Sequence, residues 1–145
     1  MVAKVIPLAD HRRLADALAY DVTTRLARLR SLFVIAQHIS GNLRSRFTDF
    51  LTTDGEKPDR NRDAEFEIQP EDSRERLLDL WEQGWSVLFA SLGSLAETDM
   101  TRSIKIRGEA LTVLQAVNRQ LTHYSYHVGQ MAFIRKGLGY PALAG

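Results

Sequence analysis

Apolar residues recur at three- and four-residue spacing through most of the chain. Leu29, Leu32, Phe33, Ala36, Ile39, Leu43, Phe47 and Phe50 form one such stripe, which reaches to about Leu51 despite Gly41. From Leu8 to Ser40 there is neither Gly nor Pro, and the segment is rich in Ala, Leu and Arg, all strong helix formers. Leu14, Leu18 and Val22 carry a similar rhythm upstream, and Asp21, Thr23 and Thr24 supply the N-cap candidates for a break. Two helices are therefore expected here, a short one over Leu8–Tyr20 and a longer one that carries His38.

The polar stretch from Thr52 to Gln69 contains Asp54-Gly55 and Lys57-Pro58, turn signals that forbid a continuing helix. A long loop is expected, anchored by Phe66 and Ile68 and ordered at least in its second half. Pro70-Glu71-Asp72 then opens a helix, with Asp72 and Glu75 in capping-box spacing. Its stripe runs through Leu77, Leu78, Trp81, Trp85, Leu88, Phe89 and Leu92 to a stop at Gly93-Ser94. A connector follows in which Thr101 to Ile106 can be extended, before Gly108-Glu109 leads into the last long helix. That helix faces its core through Ala110, Val113, Leu114, Val117, Leu121, Tyr124, Val128 and Met131, and Gly137 and Gly139-Tyr140-Pro141 stop it. The pattern predicts an all-α four-helix bundle, with a long ordered loop between helices 2 and 3 and a first helix that is short or atypical.

The length of 145 residues fits a single domain spanning 1–145. Nineteen Lys and Arg against eighteen Asp and Glu leave +1, with signs interleaved, so no field for nucleic acid or for an acidic membrane is implied. No stretch approaches the ~20 apolar residues needed to cross a bilayer, and Met1 to Pro7 lacks a signal-peptide core, so a cytoplasmic protein is expected. With no cysteine, disulfides, thiolate metal sites and a cysteine nucleophile are excluded, and any metal must rest on His, Asp or Glu.

Candidate chemistry collects on the histidines. His123 and His127 are i and i+4 on the last helix, so their rings project the same way from adjacent turns and can grip one ion. The HExxH signature of zincin peptidases is absent. Packing and hydrogen bonding is the commoner role of an isolated pair. His38, flanking the stripe of the second helix, offers a third ligand, and three neutral imidazoles would leave a metal position open for water or substrate. His11 is expected to be exposed and is left out of the set. Gln130 and Asn42 are placed to orient these rings from behind. Arg44, Arg46, Lys57, Arg60 and Arg62 form either a cationic rim for carboxylate-bearing substrates or a solvated ion-pair network with the interleaved acidic residues of the loop. Trp81 and Trp85 read as core. No spacing singles out a Ser-His-Asp set, a phosphate loop, a carboxylate pair or a general base.

The strings His38-Ile39-Ser40-Gly41-Asn42-Leu43-Arg44-Ser45-Arg46-Phe47-Thr48-Asp49-Phe50-Leu51, DGEKPDRNRDAEFE and RQLTHYSYHVGQ occur in this order. Together they resemble an uncharacterised branch of the DinB/YfiT-like superfamily, over roughly residues 34–137. The resemblance implies a four-helix bundle of up-up-down-down type holding a divalent metal, often zinc or nickel, on three histidines, which here fall on His38, His123 and His127. Better-understood relatives include transferases and isomerases that use low-molecular-weight thiols. The amino-terminal part departs from the pattern, because the polar link expected before the helix with the first histidine is missing between Asp21 and Ile35. A first helix of Leu8–Tyr20 is about 20 Å long and leaves part of a groove open, which favours a homodimer in which a second subunit covers it, by exchanging that helix if need be.

Three functions follow as alternatives. The first is a metal-dependent enzyme acting on a small molecule through water or a thiol. The second is a non-catalytic, metal-stabilised or metal-sensing homodimer. The third is a metal-free interaction module, in which the histidines are too dispersed to share an ion.

Overall fold

The structure is a computed structural model that describes residues 8–141, the side chains of 8–12, 14 and 15 excepted. His11 and Leu14 therefore lie outside the described side chains. The described residues form three α-helices and a two-stranded hairpin: α1 (Leu8–Phe47), α2 (Arg74–Gly93), β1 (Ser103–Ile106), β2 (Glu109–Thr112) and α3 (Val113–Gly137). Short 3₁₀ turns at Ala64–Phe66 and Glu97–Thr101 punctuate the connections.

The expected break after Tyr20 is absent, so α1 is one continuous helix of 40 residues, about 60 Å long. The side chains taken for caps are used within the helix instead. Thr23 Oγ1 donates to the Ala19 carbonyl at 2.8 Å, and Asp21 pairs with Arg25 one turn on at 2.8 Å. The expected four-helix count is accordingly not met among the described residues.

The core lies around the carboxyl-terminal half of α1, where Ile39, Leu43 and Phe47 are almost fully buried against Leu88 of α2, Ile104 and Ile106 of β1, and Val113, Ala116 and Tyr124 of α3. α2 runs parallel to α1: Gly84 sits against Ser40 and Leu43, and Ser91 Oγ donates to the Phe47 carbonyl at 2.5 Å. A side chain at Gly84 would meet Ser40 Cα at 3.2 Å, so glycine sets how closely the two helices approach. α3 runs antiparallel to α1, with Arg28 donating to the Gly137 carbonyl at one end and His38 facing His127 further along.

α2 starts one residue later than Asp72 would place it. Ser73 is the cap, its Oγ accepting from Arg76 N at 3.1 Å, while the Asp72 carboxylate accepts from Gln69 N and Arg76. It ends at Gly93, as the pattern predicts. The extended Ser103–Ile106 is realised as β1, with Ile104 and Ile106 buried and Ser103 and Lys105 exposed. Its partner β2 occupies residues expected to begin the last helix, so Ala110 lies on a strand, and α3 starts at Val113 under a reciprocal Thr112–Gln115 cap. Arg107 and Gly108 form the two-residue turn between the strands, both at positive φ (57° and 76°), the backbone a type I′ hairpin turn requires.

Candidate metal centre

His38 lies on the buried side of α1, 4% exposed, while His123 and His127 project from adjacent turns of α3 and are half-buried. The antiparallel packing of the two helices brings the three imidazoles into mutual contact. His38 Nε2 is 3.4 Å from His123 Nε2, and His127 Nε2 is 3.1 Å from the same atom. One nitrogen from each ring lies within 4.8 Å of the other two. Nitrogens held at ~2.0–2.1 Å around a tetrahedral ion are about 3.4 Å apart, so the two distances to His123 are close to those of a three-histidine cage.

The opposite nitrogens of two rings are tied down. His38 Nδ1 donates to Glu65 Oε2 at 2.8 Å, and His127 Nδ1 donates to Gln130 Oε1 at 2.7 Å. Those bonds place the proton on Nδ1 and leave each Nε2 lone pair facing the shared centre. His123 Nδ1 is buried without a partner, and burial together with the neighbouring His127 and His38 rings pushes its pKa down to about 4. Burial likewise lowers His127, against the opposing effect of the Gln130 bond.

Glu65 is the functional residue that the sequence did not reveal. It comes from the 3₁₀ turn of the long loop, is 7% exposed, and accepts two further bonds from Arg60, at 2.8 and 2.9 Å. Burial disfavours its charge, yet the bonds from His38 and Arg60 and the Arg60 charge outweigh that and hold its pKa below the usual value. Gly41 makes room for it: a Cβ there would fall on the Glu65 carboxylate, 2.8 Å from its Cδ. That glycine, inside an otherwise unbroken helical stripe and three residues after His38, was the available signal.

The other expected residues separate. Gln130 orients His127 as anticipated. Asn42 does not reach His38, because its Oδ1 accepts instead from Gln120 at 2.6 Å and Tyr124 at 3.3 Å. Phe66 is 54% exposed but stacks on His38 with ring centroids 5.1 Å apart, so it anchors the loop on that histidine rather than in the core. The basic residues resolve toward the ion-pair alternative. Arg46 and Arg60 are buried in pairs with Glu56 and Glu65, whereas Arg44 and Arg62 are exposed. Trp81 and Trp85 pack edge to face on the outside of the core, and Trp85 touches Tyr124.

One open cleft reaches the partner of His127 but is lined by none of the three histidines. It has a volume of about 510 Å³ between α1 and α3, is bordered by Val34, Ile35, Phe133 and Ile134, and reaches Gln130, the partner of His127. A smaller pocket of about 240 Å³ lies on the far side of Glu65, against Arg44, Lys57 and Arg60.

Fold and site together define a mostly helical protein whose two packed helices present three histidines able to hold a metal ion. The chain belongs to the DUF1572 family of proteins of unknown function, whose profile matches residues 12–141. No curated protein and no solved structure matches it significantly. Among the described residues no helix is long and apolar enough to cross a membrane.

Proposed function

We propose that the chain is a divalent-metal-dependent enzyme of the DinB/YfiT-like type, with His38, His123 and His127 as ligands and zinc or nickel as the ion. The observation that carries this is the convergence of three Nε2 atoms at 3.4 and 3.1 Å while Glu65 and Gln130 hold the outer nitrogens of two rings. A carboxylate behind a metal-binding histidine fixes its tautomer and raises its basicity, and such partners are otherwise costly to bury. Three protein ligands leave coordination open, where a bound ion would supply Lewis acidity to a water or a small thiol.

The residues of this chain do the remaining work. Glu65 holds the His38 proton on Nδ1, Gln130 does the same for His127, and Phe66 covers the His38 face against water. The cleft beside Gln130 combines apolar Val34, Ile35, Phe133 and Ile134 with Arg30 and Ser31 at its edge, a lining that suits a small substrate with a hydrocarbon part and an anionic or polar end.

Elemental analysis of untagged protein against the His38→Ala and His123→Ala variants is the test. One equivalent of metal, lost in both variants, is expected. No metal after reconstitution with zinc or nickel overturns the assignment. The second reading, a metal clamp without catalysis, draws on the fact that the triad joins α1 to α3. Cobalt-loaded protein separates the two. A sulfur-to-cobalt charge-transfer band on adding dithiothreitol requires an open position, and an unchanged spectrum favours the clamp.

A further inference from the structure

Among the described residues, the amino-terminal half of α1 packs against no other element of its own chain. Contact with α3 ends where Arg28 meets Gly137, and from Asp16 to Ala27 every side chain except Thr24 is exposed. Yet the apolar stripe of the core does not stop there. It continues along the same helical face through Leu29, Leu26, Val22 and Leu18, which are 52%, 56%, 54% and 57% exposed. A helix of this length standing alone in water is marginal, and an apolar face adds nothing to it until that face is covered.

A matching surface lies on the body of the molecule. α2 and α3 both pack on α1 and meet through Trp85 and Tyr124. On the side of that junction away from α1 they leave Phe89, Leu114, Leu121 and Val128 exposed at 64%, 51%, 64% and 43%. Leu114, Leu121 and Val128 are spaced by seven, so they form a single stripe along α3, flanking the Trp85–Phe89 stack of α2. This is the position a fourth helix would occupy. The overhanging segment 8–27 is 20 residues, about 30 Å, the same length as the 20-residue α2.

The two surfaces cannot meet within one copy, because α1 runs unbroken from Leu8 to Phe47 and carries its first half away from the body. We propose that they meet between two copies: residues 8–27 of each chain lie on the α2–α3 face of the other, so that each body becomes a four-helix bundle completed by its partner. A two-fold operation pairs both helices with both faces and leaves neither uncovered, which a foreign partner binding one surface would not do. Leu18, Val22 and Leu26 with Phe89, Leu114, Leu121 and Val128 are seven exposed side chains, which at on the order of 100 Å² each give roughly 700 Å² per copy, close to the size of a standard stable interface.

Sedimentation equilibrium on the full chain at tens of micromolar is the first measurement. A mass of twice 16.4 kDa is expected, and a monomer overturns the proposal. Leu121→Arg and the Leu18→Arg/Leu26→Arg double variant change exposed positions, so helix content by circular dichroism should persist while the mass halves. A dimer that survives either change overturns the proposal. The decisive variant inserts about ten Gly/Ser residues between Leu26 and Ala27, a link that spans ~17 Å and lets the segment fold back on its own body. A folded monomer is expected, because every apolar contact is kept and only the connection changes, whereas a dimer that persists excludes helix exchange. Metal content is read separately in each variant. The histidines are not among the residues of the proposed interface, so the two proposals stand or fall apart.

Discussion

Replacing Glu65 by Gln tests whether the loop carboxylate serves the metal centre or only holds the fold. The change keeps the size of the side chain and removes its charge. Two consequences follow from the geometry. Arg60, whose side chain is 4% exposed, keeps Glu56 at 3.5 Å but loses the charge that accepts its two short bonds, at 2.8 and 2.9 Å. Breaking a buried pair costs about 3–5 kcal/mol, and one amide oxygen and Glu56 recover part of it, so about 2–3 kcal/mol of metal-free stability should go. The second consequence concerns His38. The glutamine amide can donate to Nδ1, which would move the ring proton to Nε2 and turn the lone pair away from the shared centre. Changes at this outer position cost 10–100-fold in metal affinity, about 1.4–2.7 kcal/mol. Urea unfolding in chelator reads the first effect and zinc competition against a chromophoric chelator reads the second. If stability falls while affinity stays within twofold of the parent, Glu65 is a structural anchor and the case for an oriented metal ligand fails.

Gly41→Ala should be destabilising and should weaken metal binding like a loss of Glu65, although Gly→Ala inside a helix ordinarily stabilises by about 1 kcal/mol, because the new Cβ occupies the place of the carboxylate. Urea midpoints and zinc competition on the one variant check both signs. In metal-free protein His123 titrates near 4 when folded and near ~6.5 when unfolded, so the unfolded chain takes the proton first. The stability this ring contributes is full above about 6.5 and is lost as the pH falls toward about 4; a stability profile in chelator that is flat across that window, or that a His123→Ala variant shares, refutes the assignment. Asn42→Ala removes the acceptor shared by Gln120 and Tyr124 and should cost about 1–3 kcal/mol, with metal stoichiometry unchanged since Asn42 does not touch the triad.

Much of this architecture was legible because it rests on periodicity. The stripes of α1, α2 and α3 and their stops at Gly93 and Gly137 follow the helical repeat, and the extended stretch allowed for Thr101 to Ile106 contains β1, although no strand pairing was expected there. Two errors share one physical origin, the ambiguity of small polar side chains. Thr23 and Asp21 can cap a helix or bond back within it, and only the continuity of the stripe decides between them. Asp72 and Ser73 are both good caps, and the choice went to Ser73 because Gln69 and Arg76 claim the Asp72 carboxylate. The triad itself was visible from the i, i+4 spacing and from the place of His38 on its stripe. Its support was not. Glu65 and Glu67 stand two apart in the same polar loop, and nothing local tells the buried one from the exposed one.

What distinguishes Glu65 is a chain of contacts that starts far away in sequence. The tight turn of the hairpin points the backbone N–H groups of Arg107 and Gly108 at the Asp54 carboxylate, at 2.8 and 2.7 Å, and the Arg107 side chain reaches Glu56 at 2.8 Å. Gly55 N donates to the Lys105 carbonyl at 2.9 Å, while Ser45 Oγ and the Arg46 guanidinium donate to the Gly55 carbonyl from α1. The start of the loop is thus fastened to both the hairpin and α1, and Glu56 in turn pairs with Arg60, which grips Glu65 against His38. The hairpin touches no histidine, yet it sets the path of the loop that orients one. Loop-borne groups need this kind of rigid support to hold a metal ligand to within half an ångström or so. The two-stranded sheet, which an all-α expectation leaves no room for, therefore belongs to the support of the histidine cluster as much as to the fold.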